Sequence, residues 1–257
     1  MSVALDPPSP APVIRPLSLD DVRAALAEGW SDFRRAPAFG LFFAFVYILG
    51  GAIILLQLKV WGQSWVILPV AVGFPLLGPF AAVGLYEASR RIEAGQPLDW
   101  ASVLGVVFRQ KDRQVPSMVM VVVMIFLFWM YGAHLIFALF LGLSAMTNVM
   151  SSTEVFFTAN GLAMLATGTV VGAGLALLLY SITVVGLPML LDREVDVVTA
   201  MVTSVRVVAA NPAPMLAYAA IVAALLIAAM IPLFLGLFLA LPLLGHATWR
   251  LYRRAIA

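Results

Sequence analysis

Few side chains in this sequence could carry out chemistry, and their spacing does not form a reactive set. The chain of 257 residues contains no cysteine and two histidines, His134 and His246. The absence of cysteine excludes disulfides, thiolate zinc sites and cysteine nucleophiles. A haem–copper centre needs several histidine ligands, and neither histidine has a second one four residues away. We therefore predict no catalytic residue, no metal site and no cofactor, and hence a protein that is not an enzyme.

His134 is the first candidate functional residue, because we expect no other ionisable side chain near the centre of a membrane-spanning segment. It follows Tyr131 by three residues. Ionisable groups inside a bilayer are costly, and they often serve a function there. For His134 and His246 alike, a packing or interfacial role is the favoured interpretation, and a proton-transfer or ligand-binding role is the alternative.

Glu87, Arg90 and Arg91 form the second candidate set. Spacings of three and four residues place Glu87 beside both arginines on one side of a helix, which predicts ion pairs between them. We interpret this set as a solvated face at the end of a membrane span. A gate on a transport pathway is the alternative.

A short pattern of proline among large apolar residues occurs three times, at Pro75, Pro188 and Pro242. Proline interrupts the hydrogen bonds of a helix. We predict that these are helix-breaking positions of a repeated unit. They are interpreted as kinks that fit tilted helices together, and broken helices around a transport cavity are the alternative.

The composition places these residues in a membrane. Hydrophobic residues make up 63% of the chain and charged residues 11%, and the mean hydropathy is +1.04. A soluble core of this size could not be covered with so little polar surface. The net charge is only +2, and the basic residues cluster between the apolar segments, so nucleic acid is a poor candidate partner.

The apolar segments predict six membrane-spanning helices, because a helix needs about 20 apolar residues to cross the hydrocarbon. Four single spans and one hairpin account for them: Phe39–Leu58, Val66–Tyr86, Ser117–Ala145, Leu162–Leu191 and the hairpin within Pro214–Trp249. The hairpin is expected to turn near Met230–Pro232. Its two arms are short, so a re-entrant pair is the alternative.

Three amphipathic helices lie between the spans. They are predicted to begin near Ser18, Asp99 and Asp192, and they are followed by Pro37, Pro116 and Pro212. In the third helix, one apolar face is expected to contain Val195, Val198, Met201, Val205 and Val208. Each helix could lie in the headgroup layer and contact anionic lipid, or pack across the spans.

The fold class that follows is an all-α, polytopic membrane protein built from three degenerate repeats. Each repeat is an amphipathic helix, a proline and a helical hairpin, and the units cover about 17–92, 97–192 and 195–256. Residues 1–16 are rich in proline and are predicted to be a disordered cytoplasmic leader before one membrane domain, 17–257. With six spans and a cytoplasmic N-terminus, all 15 Lys and Arg residues except Lys59 lie on the cytoplasmic side, as the positive-inside rule requires.

Four segments of the sequence resemble a known family of bacterial integral membrane proteins, domain-of-unknown-function family 2189. The segments are Leu17–Asp21, Gly29–Phe33, Phe74–Phe80 and Gly84–Arg91. The resemblance implies a six-helix protein of the inner membrane, and it supplies no established activity. Six spans from a cytoplasmic N-terminus place the C-terminus in the cytoplasm as well. Some members carry the label cytochrome c oxidase subunit I, which a chain with two histidines does not support.

The function that we expect from these observations is that of a non-enzymatic scaffold or accessory factor of the inner membrane. Its expected partners are membrane lipid or another membrane protein complex. A small permease for an uncharged or amphiphilic solute is the alternative. A water-accessible cavity near His134 would favour transport, whereas a packed interior with exposed apolar flanks would favour an interaction role.

Overall fold

A computed structural model describes residues 12–56, 64–142 and 154–257. Within these ranges all regular structure is helical, apart from one isolated antiparallel bridge. The helices are α1 (Leu19–Arg35), α2 (Pro37–Leu56), α3 (Ser64–Glu93), α4 (Trp100–Arg109), α5 (Val115–Leu141), α6 (Ala159–Thr183), α7 (Gly186–Asp192), α8 (Val197–Ala210), α9 (Pro212–Met230) and α10 (Leu237–Ala255). Two short 3-10 helices, Gln110–Asp112 and Glu154–Phe157, precede α5 and α6.

Three helical runs in the described part of the chain are long and apolar enough to cross a membrane. They are Val115–Leu141, Ala159–Asp192 and Pro212–Met230. The number of candidate spans rises to four if α1 and α2, which meet at a bend of 99°, are counted as one broken span. The all-helical membrane class is therefore confirmed, whereas six spans stay a prediction. Lys59, which is expected on the opposite side of the membrane from the other basic residues, lies outside the described residues.

Polar side chains start the three helices that were expected to be amphipathic. Ser18 forms a reciprocal capping box with Asp21, while Asp99 caps α4 and Asp196 caps α8 by accepting a hydrogen bond from the backbone. These hydrogen bonds favour the carboxylate form, so the pKa values of Asp99 and Asp196 lie below the ordinary value for aspartate. The third helix therefore begins at Val197, and the expected start near Asp192 was wrong because Asp192 ends α7.

The face that α8 turns inward differs from the expected one. Val198 and Val205 are exposed. The buried residues are instead Ala200, Thr203, Ser204 and Val207. Three of the expected residues pack partly against the core, namely Val195, Met201 and Val208. Two of these four buried residues are polar, and Ser204 Oγ accepts a hydrogen bond of 3.1 Å from the backbone N–H of Val185, at the junction between α6 and α7.

The three repeated prolines occupy different local structures. Pro188 lies buried in α7, just after the junction that ends α6, whereas Pro242 lies inside the continuous helix α10. Pro75 falls within α3, and its side chain lies outside the described residues. The expected helix break was thus wrong at Pro242, and the threefold repeat stays a prediction.

Helix α10 occupies the centre of the bundle and packs against α1, α2, α3, α7 and α9. Its most extensive contact is with α1, where the backbones meet closely at Gly29. A Cβ atom at Gly29 would lie 2.6 Å from the backbone nitrogen of Ala247. Glycine at this position therefore lets α1 lie directly on α10.

The chain termini extend this contact. The backbone N–H of Arg15 donates to Ala255 O at 2.9 Å, and the N–H of Ala257 donates to Val13 O at 3.0 Å. These bonds flank the bridge between Ile14 and Ile256. Residues 13–15, which were expected to belong to the disordered leader, are therefore paired with the end of the chain, and the leader itself stays a prediction.

Candidate functional site

The main candidate site is a buried polar cluster at the junction of α1, α3 and α10. It consists of Asp32, Ser89, His246 and Arg250, and we call it the polar cluster. Asp32 is 2% exposed, and Ser89 and His246 are fully buried. Helix α10 packs against both α1 and α3, so the fold itself brings these side chains together.

Asp32 is the shared acceptor of the polar cluster. Arg250 donates two hydrogen bonds to the two Asp32 carboxylate oxygens, both of 2.8 Å. Ser89 Oγ lies 2.9 Å from Asp32 Oδ2 and donates to it. Paired, parallel hydrogen bonds between arginine and a carboxylate are among the strongest and most directional in proteins.

The tautomer of His246 follows from the single proton of Ser89. Nδ1 of His246 lies 2.8 Å from Ser89 Oγ. Because Ser89 gives its proton to the charged Asp32, Nδ1 of His246 must carry a proton and donate to Ser89. Nε2 is then an acceptor, and it has no hydrogen-bond partner within the described part of the chain.

Ion pairs surround the polar cluster and tie the end of α10 to its neighbours. Arg254 binds Glu28 of α1 through contacts of 2.6 and 3.1 Å, and these bonds lower the pKa of Glu28. Arg253 lies 3.1 Å from Glu93 of α3 and 3.4 Å from Asp192 of α7. The last two turns of α10 therefore hold three other helices at one end of the bundle, which we call the charged end.

Glu87 forms a second buried site within the charged end. It is 0% exposed and accepts from Arg90 at 2.7 and 2.9 Å and from Arg91 at 2.7 Å. The ion pairs expected from the spacing are therefore present. The expectation of a solvated face was wrong for Glu87, because α3 turns this carboxylate inward.

The arrangement of the polar cluster does not match a hydrolytic triad. In a triad, histidine lies between serine and aspartate and takes the serine proton, whereas here Ser89 lies between Asp32 and His246. No group of three His, Cys, Asp or Glu side chains in the described ranges could hold a metal ion. What the cluster can do is hold three helices in one register, because each polar atom constrains the position of the next.

His134 and Tyr131 have different surroundings from the residues of the polar cluster. Both are exposed on α5, Tyr131 by 76%. His134 Nδ1 lies 2.8 Å from the carbonyl oxygen of Met130 in its own helix. The structure thus brings neither residue to the polar cluster. His246 is the histidine that is buried among polar groups, and a functional role of His134 stays a prediction.

Sequence reasoning missed Asp32, Ser89 and Arg250. An aspartate such as Asp32 is expected on the solvent-facing side of an amphipathic helix, and Ser89 lies in a charged run. The sequence could have indicated Arg250, because Arg250, Arg253 and Arg254 form one basic group at the end of an apolar segment. The sequence alone does not show which carboxylates these arginines meet.

Two cavities lie along the seam between α5 and α6. One has a volume of about 550 Å³ and is bordered by Trp129, Phe137 and Gly168. The second, of about 350 Å³, shares Trp129 and is bordered by Phe126 and Leu179. Apart from Thr169, the residues that line them are apolar or glycine, and neither cavity includes a member of the polar cluster.

Comparison with known proteins supports the resemblance seen in the sequence. The family model described as predicted integral membrane protein (DUF2189) matches residues 67–192. The matched segment runs from α3 to the end of α7 and includes Glu87, Ser89, Arg90 and Arg91. No curated protein and no solved structure matches the chain.

Proposed function

We propose that this chain, which carries the domain of a family of predicted integral membrane proteins, is a non-enzymatic scaffold or accessory factor of the bacterial inner membrane. It acts by holding a surface of short helices against lipid at the charged end. The observation that carries the proposal is the outward-facing apolar side of α8, formed by Val198, Val202 and Val205. Such a face is stable when it lies in the apolar part of the membrane interface.

Helix α4 supports the same interpretation. Trp100 at its start and Phe108 near its end are both exposed. The Trp100 ring has one polar edge, which favours the membrane interface, and the Phe108 ring adds apolar surface on the same helix. Because α4 packs on α3 and α8 packs on α6 and α7, both apolar faces are held in place by helices of the bundle.

The lack of an enzymatic role is argued from the partners of the polar side chains. Asp32, Ser89 and Arg250 bind one another, and Glu87 binds two arginines. Buried polar groups with satisfied hydrogen bonds fix a structure, whereas a reacting group must reach a substrate. The polar cluster therefore has the features of a structural lock between helices.

The permease remains the second candidate function. The cavities between α5 and α6 could accept an apolar or amphiphilic molecule, because their borders include Phe126, Phe137 and Trp129. Neither border contains an ionisable side chain that could couple transport to protons or ions. For this reason we place the scaffold first.

The charged end is assigned to the cytoplasmic side, together with both chain termini. It gathers Arg90, Arg113, Arg253 and Arg254. Basic residues next to membrane spans are retained in the cytoplasm. The partners proposed are membrane lipid and, through the exposed helices, another membrane protein complex.

The proposal is tested by labelling the chain at single cysteines, which its natural lack of cysteine makes simple. A spin label at Val202→Cys should collide with dissolved oxygen more than with a polar nickel complex, because its site faces lipid. Arg23→Cys is the control, since the Arg23 side chain is 80% exposed on α1 and should show the opposite preference. The protein is measured in lipid nanodiscs.

A label at position 202 that the nickel complex reaches as readily as one at position 23 would refute the lipid contact. Uptake of a neutral solute by vesicles containing the purified protein, above the rate of empty vesicles, would favour the permease instead.

A further inference from the structure

A third cavity, of about 530 Å³, opens at the charged end and differs from the two apolar ones. The ends of α3, α4 and α7 surround it, and six of its lining residues are charged: Glu87, Arg90, Arg109, Asp112, Arg113 and Glu194. We call it the charged cavity. Three of these side chains are arginines and three are carboxylates, which favours a ligand that carries charges of both signs.

Arginine supplies the positive side of the charged cavity. Arg90 is bound to Glu87 and Arg113 forms an ion pair with Glu194, so each guanidinium keeps further N–H groups free. Arg109 forms no ion pair with the residues that the structure describes. Guanidinium groups in such an arrangement bind phosphate oxygens by paired hydrogen bonds.

Gln110 supplies a second, independent observation at the charged cavity. It is 1% exposed and lines the charged cavity. Its side-chain oxygen Oε1 has no hydrogen-bond donor among the described residues. An unpaired buried acceptor is costly, because it has lost its water without gaining a partner. The ligand should therefore bring an N–H or O–H donor as well as a phosphate.

The charged cavity lies next to the ends of two candidate membrane spans, which indicates that its ligand is a lipid. Arg113 lies two residues before the first residue of the candidate span Val115–Leu141, and Leu191 lies one residue before the end of the candidate span Ala159–Asp192. The ends of spans lie at the level of the headgroups. A phosphate bound there would still be joined to acyl chains in the membrane.

We propose that the charged cavity binds the phosphoethanolamine headgroup of a phospholipid. The phosphate accepts hydrogen bonds from Arg109 and Arg113, and the ammonium group donates to Gln110 Oε1 and approaches the carboxylate of Asp112. This assignment names the lipid in the proposed function and therefore rests on that function. A free phosphoethanolamine ester has the same chemistry, so the experiment must separate the two sources.

The test measures binding to the purified full-length protein in mild detergent, by titration calorimetry. The probes are short-chain phosphatidylethanolamine, phosphatidylcholine and phosphatidylglycerol, and free O-phosphoethanolamine. Phosphatidylethanolamine should bind at least about tenfold more tightly than phosphatidylcholine, because three methyl groups remove the ammonium donors. Free O-phosphoethanolamine should bind more weakly than the lipid.

Two variants locate the binding in the charged cavity. Arg109→Ala should weaken binding of phosphatidylethanolamine at least about tenfold, because a charge-assisted contact to phosphate is lost. Arg23→Ala removes the same charge from an exposed position of α1 and should change binding less than about twofold. Gln110→Leu should reduce the preference for ethanolamine over choline.

Equal binding of phosphatidylethanolamine and phosphatidylcholine would overturn the ammonium contact, and equal effects of Arg109→Ala and Arg23→Ala would overturn the cavity as the site. Tighter binding of free O-phosphoethanolamine than of the lipid would overturn the lipid as the ligand. If the label at position 202 still reports lipid contact in any of these cases, only the charged cavity's assignment fails and the proposed function stands.

Discussion

The pair between Asp32 and Arg250 gives the sharpest test of the polar cluster. Replacing Arg250 with methionine keeps an unbranched side chain but removes both hydrogen bonds to the carboxylate. Asp32 is 2% exposed, so its charge would remain buried with one donor, Ser89. Loss of one partner from a buried ion pair costs about 3–5 kcal/mol, and Arg250→Met should lower the free energy of unfolding by that amount.

The matched control is Arg23→Met on α1. Arg23 forms an ion pair of 3.0 Å with Asp20, but the two side chains are 80% and 86% exposed. Exposed pairs contribute about 0–1 kcal/mol because water already solvates both charges. Both substitutions exchange arginine for methionine, so the difference between their effects on the free energy of unfolding measures what burial of the ion pair contributes.

The assay is reversible unfolding of the purified chain in detergent micelles, followed by circular dichroism against increasing denaturant. Combining Asp32→Asn with Arg250→Met should recover part of the loss, because no unpaired charge then remains buried while the amide oxygen still accepts from Ser89. The reasoning is refuted if Arg250→Met and Arg23→Met destabilise the protein equally, or if the double variant is less stable than Arg250→Met alone.

Two further predictions concern packing and orientation. Gly29→Ala should destabilise the protein by about 1–3 kcal/mol, because its Cβ would overlap the Ala247 backbone. The control Gly132→Ala, with open space around it, should be neutral or slightly stabilising. Similar melting temperatures for the two variants would contradict the close contact between α1 and α10. Arg23→Cys should react with a membrane-impermeant maleimide in inside-out vesicles and not in intact cells, and labelling of intact cells would reverse the proposed orientation.

Local features of the fold could be predicted from the sequence because they depend on neighbouring residues. The caps at Ser18 and Asp99 were identified from spacing, and so were the breaks at Pro37 and after Met230. The pairing of Glu87 with Arg90 and Arg91 was likewise predictable, because all three lie on one helix.

The orientation of short helices could not be predicted from apolar periodicity alone. In α8, the valines define a clear apolar face, yet Val198 and Val205 point outward. The rule that apolar faces turn inward assumes water outside. A helix that lies against lipid, as we propose for α8, is not bound by that rule, and its inward face includes Ser204, which accepts a hydrogen bond from the Val185 N–H.

The sequence by itself determined that this is a helical membrane protein, because 63% hydrophobic residues admit few other solutions and the spans and caps are local. Only the tertiary structure decided that Asp32, Ser89, His246 and Arg250 form one buried group. Asp32 and Arg250 are 218 residues apart, and they meet because Gly29 lets α1 lie against α10. Polar contacts between distant helices depend on that packing, and no local pattern in the chain specifies it.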